Sequence, residues 1–213
     1  MRPPAGPEEN SMHVEPFRDR LDAGRQLAVA LERFRSPETL VLGVPRGGVV
    51  VAAEVARALG AELDVVIARK IGAPYQPELA IGAVVSGEGG RLLDEDALRF
   101  LRVSPEYVES ETARQMAEIR RRSRDYRGDR PEPSLTGRTV LLVDDGIATG
   151  YTIRAALIAL RRRQPARLVA AAPVAPPEVR TRLAEIADEV VCLRTPDPFV
   201  AVGAWYRDFT QVE

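Results

Sequence analysis

Two consecutive carboxylates, Asp144 and Asp145, directly follow an apolar run that is typical of a buried strand. Thr149 and Thr152 stand a few residues further on, where the apolar pattern predicts the start of a helix. The free backbone N–H groups and the dipole of a helix start favour a phosphate, and hydroxyl side chains add hydrogen-bond donors. The two acids can accept hydrogen bonds from neighbouring hydroxyl groups of a sugar. The segment therefore predicts a site for a ribose 5-phosphate.

The same segment has a simpler interpretation, in which the acids only cap the helix that follows a core strand. A single aspartate at this place is usually such a cap. Two carboxylates, two threonines and two glycines in one short segment favour a ligand site instead, because Gly146 and Gly150 let the backbone approach a ligand closely. The segment has neither the pattern of a Walker loop nor the GxGxxG pattern of a dinucleotide-binding turn.

Apolar runs alternate with amphipathic segments along most of the chain, which predicts alternating strands and helices. The strands are apolar on both faces, as in a parallel sheet that helices cover on both sides. The expected fold class is α/β, a doubly wound, mostly parallel sheet with a small hood or helical insertion. We expect strands over 39–44, 63–68, 140–143, 168–174 and 190–193, a hairpin over 80–93, helices over 17–34, 49–59, 152–163 and 177–187, and mostly helix over 94–126. In the first helix, Leu21, Leu27, Ala28 and Leu31 form the apolar face. Ligands of such a sheet bind beyond the carboxyl ends of its strands.

The segment from Val140 to Thr152, a strand, an acid pair and a loop that ends in Thr-Gly-x-Thr, resembles the signature of the type I phosphoribosyltransferases. The resemblance extends over roughly residues 40–191. It implies 5-phosphoribosyl 1-diphosphate as the donor and Mg²⁺ as the cofactor. It also implies that Asp144 and Asp145 hold the ribose hydroxyls. The rest of the segment would bind the donor, its last five residues wrapping the 5-phosphate: Gly146, Ile147, Ala148, Thr149, Gly150, Tyr151 and Thr152.

Two further strand ends fit this resemblance. Arg46-Gly47-Gly48 resembles the short diphosphate loop of the family, since a guanidinium and exposed backbone N–H groups suit a diphosphate. The alternative is a tight turn with an exposed arginine. Arg69-Lys70 resembles the basic pair that the family often places near the diphosphate, and the alternative is a solvated pair beside a strand.

The candidate catalytic residues are therefore Arg46, Lys70, Asp144 and Asp145. The basic side chains, together with Arg69, would neutralise the leaving diphosphate. Residues 72–78 follow the basic pair and are a candidate cover for the site, stiffened by two prolines.

The acceptor is harder to assign. Family members that use hypoxanthine or guanine carry an acid before Thr-Gly and a lysine after a later strand, whereas this sequence has Ala148 and the lysine-free stretch 172–175. The C-terminal segment resembles a purine-binding segment, in which Phe199 would stack on the base and Asp208 would approach Mg²⁺ bound to the diphosphate. The alternative is a packing cluster of the C-terminal aromatic residues Phe199, Trp205, Tyr206 and Phe209.

Composition excludes several function classes. The 213 residues include 30 basic and 31 acidic side chains, so no basic excess indicates nucleic acid or an acidic membrane surface as a partner. Cys192 and His13 are the only residues of their types, which argues against an intramolecular disulfide, a histidine triad and a histidine-rich metal site. Lys70 is the single lysine beside twenty-nine arginines.

We expect a disordered extension over residues 1–15 and one domain over 16–213, with a mainly helical insertion at about 94–133 that forms a hood or a dimer surface. Because Cys192 is the single cysteine, a reducing, cytoplasmic compartment is expected, and its place in an apolar run predicts a buried thiol. A homodimer without nucleic acid or membrane partners is expected.

Two hypotheses about function follow. The first is an enzyme that transfers ribose 5-phosphate from the donor to a nitrogenous heterocycle, a nucleobase in the first instance, with release of diphosphate. The second is a non-catalytic sensor or regulator of the same fold, which Ala148 leaves open because fold alone does not fix function.

Overall fold

The computed structural model describes residues 15–87 and 90–212, and a five-stranded parallel sheet lies at its centre. Residues 1–14, with His13 and nearly all of the expected disordered extension, lie outside the described residues. The strands are β1 (Thr39–Gly43), β2 (Glu62–Val65), β3 (Ala68–Ala73), β4 (Gln76–Val85), β5 (Gly90–Leu93), β6 (Thr139–Val143), β7 (Arg167–Val174) and β8 (Glu189–Arg194). The central sheet has the order β2-β1-β6-β7-β8, and all its neighbours are parallel. The predicted α/β fold class is confirmed.

Helices cover both faces of this sheet. The helices of the described residues are α1 (Arg20–Leu31), α2 (Gly47–Leu59), α3 (Glu95–Phe100), α4 (Pro105–Arg127), α5 (Tyr151–Arg161) and α6 (Pro177–Leu183). Helices α1 and α2 pack on one face, and α5 and α6 pack on the other. Within the described part of the chain, no helix has both the length and the apolar character needed to cross a bilayer.

The alternation of side chains along the central strands explains why both faces are apolar. Val41 and Leu141 are fully buried against α1 and α2, whereas Leu40 and Leu142 point into the core beside α5 and α6. Successive strand residues face opposite sides, so a strand that is covered twice must be apolar at every position.

The first helix is shorter than the sequence predicts. The Asp19 side chain accepts a hydrogen bond from the Asp22 backbone N–H at 2.7 Å, and this cap starts α1 at Arg20. Phe17 lies before the helix, fully buried, and forms a bridge with Tyr206. The placement of Leu21 on the apolar face is wrong, because this side chain is 42% exposed.

Strands β3, β4 and β5 form a separate antiparallel sheet that, together with α3 and α4, makes a hood. The predicted hairpin over 80–93 is confirmed for its described residues; residues 88–89 lie outside them. The predicted strand over 63–68 is wrong at its end, because β2 stops at Val65 and the chain then enters the hood sheet. Residues 72–78 are a strand hairpin rather than a free loop, since Ala73 pairs with Gln76 and the turn contains Tyr75 in a left-handed conformation.

The hood is fixed to the central sheet by buried polar contacts. Arg127 at the end of α4 forms an ion pair at 3.0 Å with Asp64 of β2, and both side chains are about nine-tenths buried. Ser86 accepts a hydrogen bond at 3.0 Å from the Ile67 backbone N–H, where the chain passes from one sheet to the other. Residues 94–133, the expected insertion, contain α3 and α4.

Replacing Asp64 should weaken the whole fold. Asp64→Asn leaves the buried guanidinium of Arg127 without its counter-charge, which costs about 3–5 kcal/mol in comparable pairs. We expect a marked fall in melting temperature, measured by thermal unfolding followed by circular dichroism. Asp96→Asn, which breaks an exposed pair with Arg99, is the control and should change stability by less than about 1 kcal/mol. Equal melting temperatures for both variants would contradict this account of the hood attachment.

Candidate active site

The carboxyl ends of β1 and β6 bring two loops into contact. The strands are neighbours in the sheet, with Gly43 opposite Val143, and the Val44 N–H donates to the Val143 carbonyl at 2.9 Å. Residues 45–48 therefore emerge beside residues 144–150. The peptide bond between Pro45 and Arg46 is cis. The structure thus brings together the two loops that the sequence assigned to the diphosphate and to the ribose 5-phosphate.

A side chain in place of either glycine would overlap the acid pair where the two loops meet. A Cβ atom on Gly47 would lie 1.8 Å from Oδ2 of Asp145, and one on Gly48 would lie 2.8 Å from Oδ1 of Asp144. Both distances are far below van der Waals contact. The start of α2 is therefore pressed against the acid pair, and its glycines leave the space in which the two carboxylates lie.

The acid pair itself is electrostatically strained. Burial, and then the negative charge of Asp145, raise the pKa of the Asp144 carboxyl well above its usual value. The Asp144 carboxylate also accepts a hydrogen bond from the Asp145 backbone N–H at 2.9 Å. Two adjacent carboxylates that point into one site are suited to accept hydrogen bonds from a diol, and their negative potential attracts developing positive charge.

Two residues that the sequence analysis did not select contact Asp145. Arg20 of α1 donates from Nε to Oδ2 of Asp145 at 2.7 Å, and the Tyr206 hydroxyl donates to the backbone carbonyl of Asp145. Burial, and then the charge of Asp145, raise the pKa of Tyr206, so its hydroxyl keeps its proton. No local pattern distinguishes Arg20 from the other arginines, and the sequence marks Tyr206 only as part of the aromatic cluster.

The loop after the acids is anchored on its buried side and open on the other. The Ile147 side chain is buried in the core, and its N–H donates to the Val174 carbonyl at 2.9 Å. Gly150 has a φ of 77°, a left-handed conformation that favours glycine, at the position just before α5. The residues with exposed side chains in this segment are Ala148, Thr149, Tyr151 and Thr152.

These features make the loop a suitable anion cradle. The first N–H groups of α5 have no partner within the helix, and two threonine hydroxyls flank them. A cavity of about 310 Å³ borders the loop on the side of α6, and Arg154 and Arg182 are among its lining residues. Arg182 also donates to the Thr149 carbonyl at 3.3 Å.

The predicted basic residues lie in different surroundings. Arg46 is exposed at the start of α2. Lys70 is also exposed, and its Nζ pairs with Glu78 of the same hairpin at 2.7 Å. Arg69 instead turns to α4 and donates to the Gln115 side chain, and burial lowers its pKa. Arg69 and Lys70 both lie inside β3 of the hood. The sequence suggested that they follow the end of a parallel strand, but β2 ends before them at Val65.

The C-terminal aromatic residues divide into two groups. Tyr206 packs between Phe17 and Phe209 with tilted rings, whose centroids lie 5.4 and 4.9 Å from its own, and Trp205 packs beside them. The packing-cluster interpretation therefore holds for these three C-terminal residues. Phe199 does not belong to this cluster among the described residues and is only half-buried.

Asp208, the predicted metal-approaching residue, is exposed and accepts hydrogen bonds from the backbone N–H and the hydroxyl of Thr210, which lower its pKa. The described residues contain no group of three or more His, Cys, Asp or Glu side chains that could hold a metal. Cys192 lies on β8, where burial raises the pKa of its thiol to about 11. It is therefore protonated at neutral pH and unsuited to act as a nucleophile.

Comparison with known proteins assigns this chain to a family. Residues 19–207 match the family described as the phosphoribosyl transferase domain. Two curated proteins of Mycobacterium tuberculosis, from strains CDC 1551 and H37Rv, carry the provisional name phosphoribosyl transferase and are each 47% identical to this chain over 196 residues. The match covers 92% of this chain but 44% of those proteins, so this chain spans less than half of their length.

Two solved structures extend the comparison. The structure of TT1426 from Thermus thermophilus is 51% identical, with a TM-score of 0.80 and coverage of 93% of both chains. A purine phosphoribosyltransferase from Pyrococcus horikoshii is 16% identical, with a TM-score of 0.50 and coverage of 91% of this chain and 93% of that one. The second likeness concerns the fold alone.

The acid pair should destabilise the protein at neutral pH. A carboxyl whose pKa is higher in the folded than in the unfolded chain favours unfolding at high pH, because stability falls as the pH rises from the unfolded-state pKa to the folded-state pKa. Asp144→Asn should remove this loss and raise stability by about 1 kcal/mol near pH 7, with the difference shrinking toward pH 4. Melting temperatures of wild type, Asp144→Asn and the control Asp96→Asn across this range measure the effect.

A variant Asp144→Asn that is no more stable than wild type at neutral pH would contradict the assignment of a raised pKa to this carboxyl. A gain that persists unchanged at acid pH would contradict it as well, because Asp144 is then already protonated in the wild type.

Proposed function

The chain belongs to the phosphoribosyl transferase domain family, and we propose that it is an enzyme that transfers ribose 5-phosphate from 5-phosphoribosyl 1-diphosphate to a nitrogenous heterocycle, with release of diphosphate. The observation that carries this proposal is the contact between the glycines at the start of α2 and the acid pair after β6. It joins a diol-binding group and two helix starts that suit phosphates in one site.

The reaction requires the protein to bind the donor at its 5-phosphate, its ribose hydroxyls and its diphosphate. The N–H groups and hydroxyls of residues 148–152 take the 5-phosphate, and Asp144 and Asp145 accept hydrogen bonds from the ribose hydroxyls. Departure of diphosphate from C1 leaves an oxocarbenium-like ribose, which the two carboxylates stabilise by their charge. No covalent nucleophile is needed, in keeping with the protonated thiol of Cys192.

Cationic side chains neutralise the leaving diphosphate. Arg46 stands at the start of α2 with its guanidinium exposed. Lys70 is held by Glu78, but exposed pairs are weak, so a diphosphate can displace the carboxylate. Arg69 is the weaker candidate, because its side chain already bonds Gln115.

The side chains of the site fit a Mg²⁺ ion that is bound mainly by the substrate. Mg²⁺ commonly takes one or two carboxylates together with phosphate oxygens, and the described residues offer no larger acidic cluster. Asp208 would contact the ion from the C-terminal segment. Mg²⁺ supplies additional neutralisation of the diphosphate charge when it is bound.

For the acceptor, we propose a flat heterocycle such as a nucleobase stacked on Phe199, whose ring does not belong to the aromatic cluster of the described C-terminal residues. The absence of an acid at Ala148 and of a lysine in residues 172–175 favours acceptors other than hypoxanthine and guanine. A homodimer and a cytoplasmic location, expected from the sequence, are also parts of this proposal.

A second candidate, a sensor that binds the donor without turnover, is left open by Ala148. The loop carries no acid at the place where the purine-salvage branch uses one. Donor binding is common to both candidates, so turnover distinguishes them.

The decisive assay measures release of diphosphate from the donor in the presence of Mg²⁺ and a panel of purines, pyrimidines and other heterocycles. We expect release with at least one acceptor. Asp145→Asn should weaken donor binding by about ten- to a hundredfold, because it removes a charged hydrogen-bond acceptor. Asp96→Asn, far from the acid pair in the sequence and exposed, is the control.

Donor binding without release for any acceptor would favour the sensor. No donor binding by the wild-type chain would contradict both candidates. Unchanged binding by a folded Asp145→Asn variant would remove Asp145 from the site.

A further inference from the structure

Arg20 contacts the acid pair and two residues of the C-terminal segment, although it belongs to neither ligand loop. Its Nε donates to Oδ2 of Asp145 at 2.7 Å, and a second guanidinium nitrogen donates to the Thr210 carbonyl at 2.7 Å. The guanidinium carbon also lies 3.9 Å from the centre of the Phe209 ring, a cation–π contact. The side chains of Arg20 and Asp145 are only 12% and 15% exposed. Arg20 is therefore held in one orientation by parts of the chain other than Asp145.

The contacts of Arg20 depend on a clamp between the two ends of the described chain. The Phe17 N–H donates to the Trp205 carbonyl at 2.8 Å, and the Arg207 N–H donates back to the Phe17 carbonyl at 2.8 Å. The Asp208 N–H continues the pattern to the Arg18 carbonyl at 2.9 Å. This terminal clamp carries Arg20 on one side and its partners Phe209 and Thr210 on the other.

The hydrogen bonds of Asp145 leave one carboxylate oxygen for a ligand. Arg20 occupies Oδ2, whereas among the described residues no N–H or hydroxyl donor uses Oδ1 of Asp145, and the side chain of Asp144 lies beside this carboxylate. A carboxylate fixed through one oxygen presents the other in a defined direction. The positive charge also offsets the repulsion between Asp144 and Asp145, which otherwise favours turning one carboxylate away.

We propose that Arg20 is a positioning residue for donor binding, which fixes the Asp145 carboxylate so that its free oxygen can accept a ribose hydroxyl. This inference rests on the proposed function, because the ligand is the same donor. Arg20 acts through Asp145 alone and is itself held by the terminal clamp. The ends of the described chain thereby become part of the donor site.

A double-mutant cycle tests this dependence. Donor affinity is measured by titration calorimetry with 5-phosphoribosyl 1-diphosphate and Mg²⁺, without an acceptor, on wild type, Arg20→Gln, Asp145→Asn and the double variant. We expect Arg20→Gln to weaken donor binding about tenfold. In the Asp145→Asn background the same change should matter by less than about twofold, since the carboxylate through which Arg20 acts is gone.

Two further variants complete the design. Arg25→Gln is the matched control, because Arg25 lies on the same helix and pairs with Glu54 outside the site, at 3.0 Å with 61% of its side chain exposed. It should leave donor affinity unchanged. Arg20→Lys keeps the charge but loses the fork that joins Asp145 to Thr210, so we expect a partial rescue, with binding about threefold weaker than wild type.

Additive effects of Arg20→Gln and Asp145→Asn would overturn the inference, since they would show that Arg20 contributes independently of Asp145. Wild-type affinity in a folded Arg20→Gln variant would do the same. If Arg20→Gln does not fold, Arg20→Lys alone and combined with Asp145→Asn decides the question by the same criterion. If the wild-type chain binds no donor, the proposed function itself fails. Failure of the inference about Arg20 is a different result, because it requires donor binding by the wild type and then a comparison between variants.

Discussion

The close contact between a glycine pair and an acid pair determines the architecture of this site. Gly47 and Gly48 leave room for the carboxylates of Asp145 and Asp144, and any side chain there would overlap them. The contact exists because β1 and β6 are neighbouring parallel strands in register, so that their following loops emerge side by side. The packing of α1 and α2 on one face, and of α5 and α6 on the other, holds those two strands in place.

Placing two adjacent carboxylates in a partly buried site has an energetic cost that the rest of the chain offsets. The raised pKa of Asp144 reflects that cost. Arg20 supplies a counter-charge to Asp145, and Tyr206 fixes its backbone carbonyl. Natural proteins accept such local destabilisation at functional sites, where groups are arranged for a ligand rather than for the free protein. The proposed donor is a sugar whose two hydroxyls would donate to the carboxylates and whose three phosphate groups would bind the helix starts and the basic side chains.

Much of this arrangement was predictable from sequence because it depends on local patterns. Apolar runs predicted the strands, and the acid pair after one of them predicted the candidate ribose site, since the carboxyl ends of strands in a parallel sheet form a ligand edge. The hood boundaries were not predictable to the same degree. An apolar run that passes from one sheet to another, as between Val65 and Ala68, has no periodicity that marks the change.

The contacts of Arg20 and Tyr206 could not be found in this way, because they join residues more than sixty positions apart and depend on the pairing of the two ends of the described chain. In a sequence with twenty-nine arginines, residue type carried no signal for Arg20. The exposure of Leu21 has a related cause. The cap at Asp19 and the packing of α1 on α2 set which face of the helix is buried, and a helical pattern alone does not supply that orientation.

The central claim, that the close approach of α2 to the acid pair creates the donor site, is tested most directly by donor titration into Gly47→Ala and Gly60→Ala. Gly60 lies at the other end of the same helix with a φ of 63° and open space around it, so alanine there costs about 1 kcal/mol of stability without touching the site. We predict that Gly47→Ala weakens donor binding by about tenfold or more, while Gly60→Ala binds as wild type does. Wild-type donor affinity in a folded Gly47→Ala variant would contradict the claim.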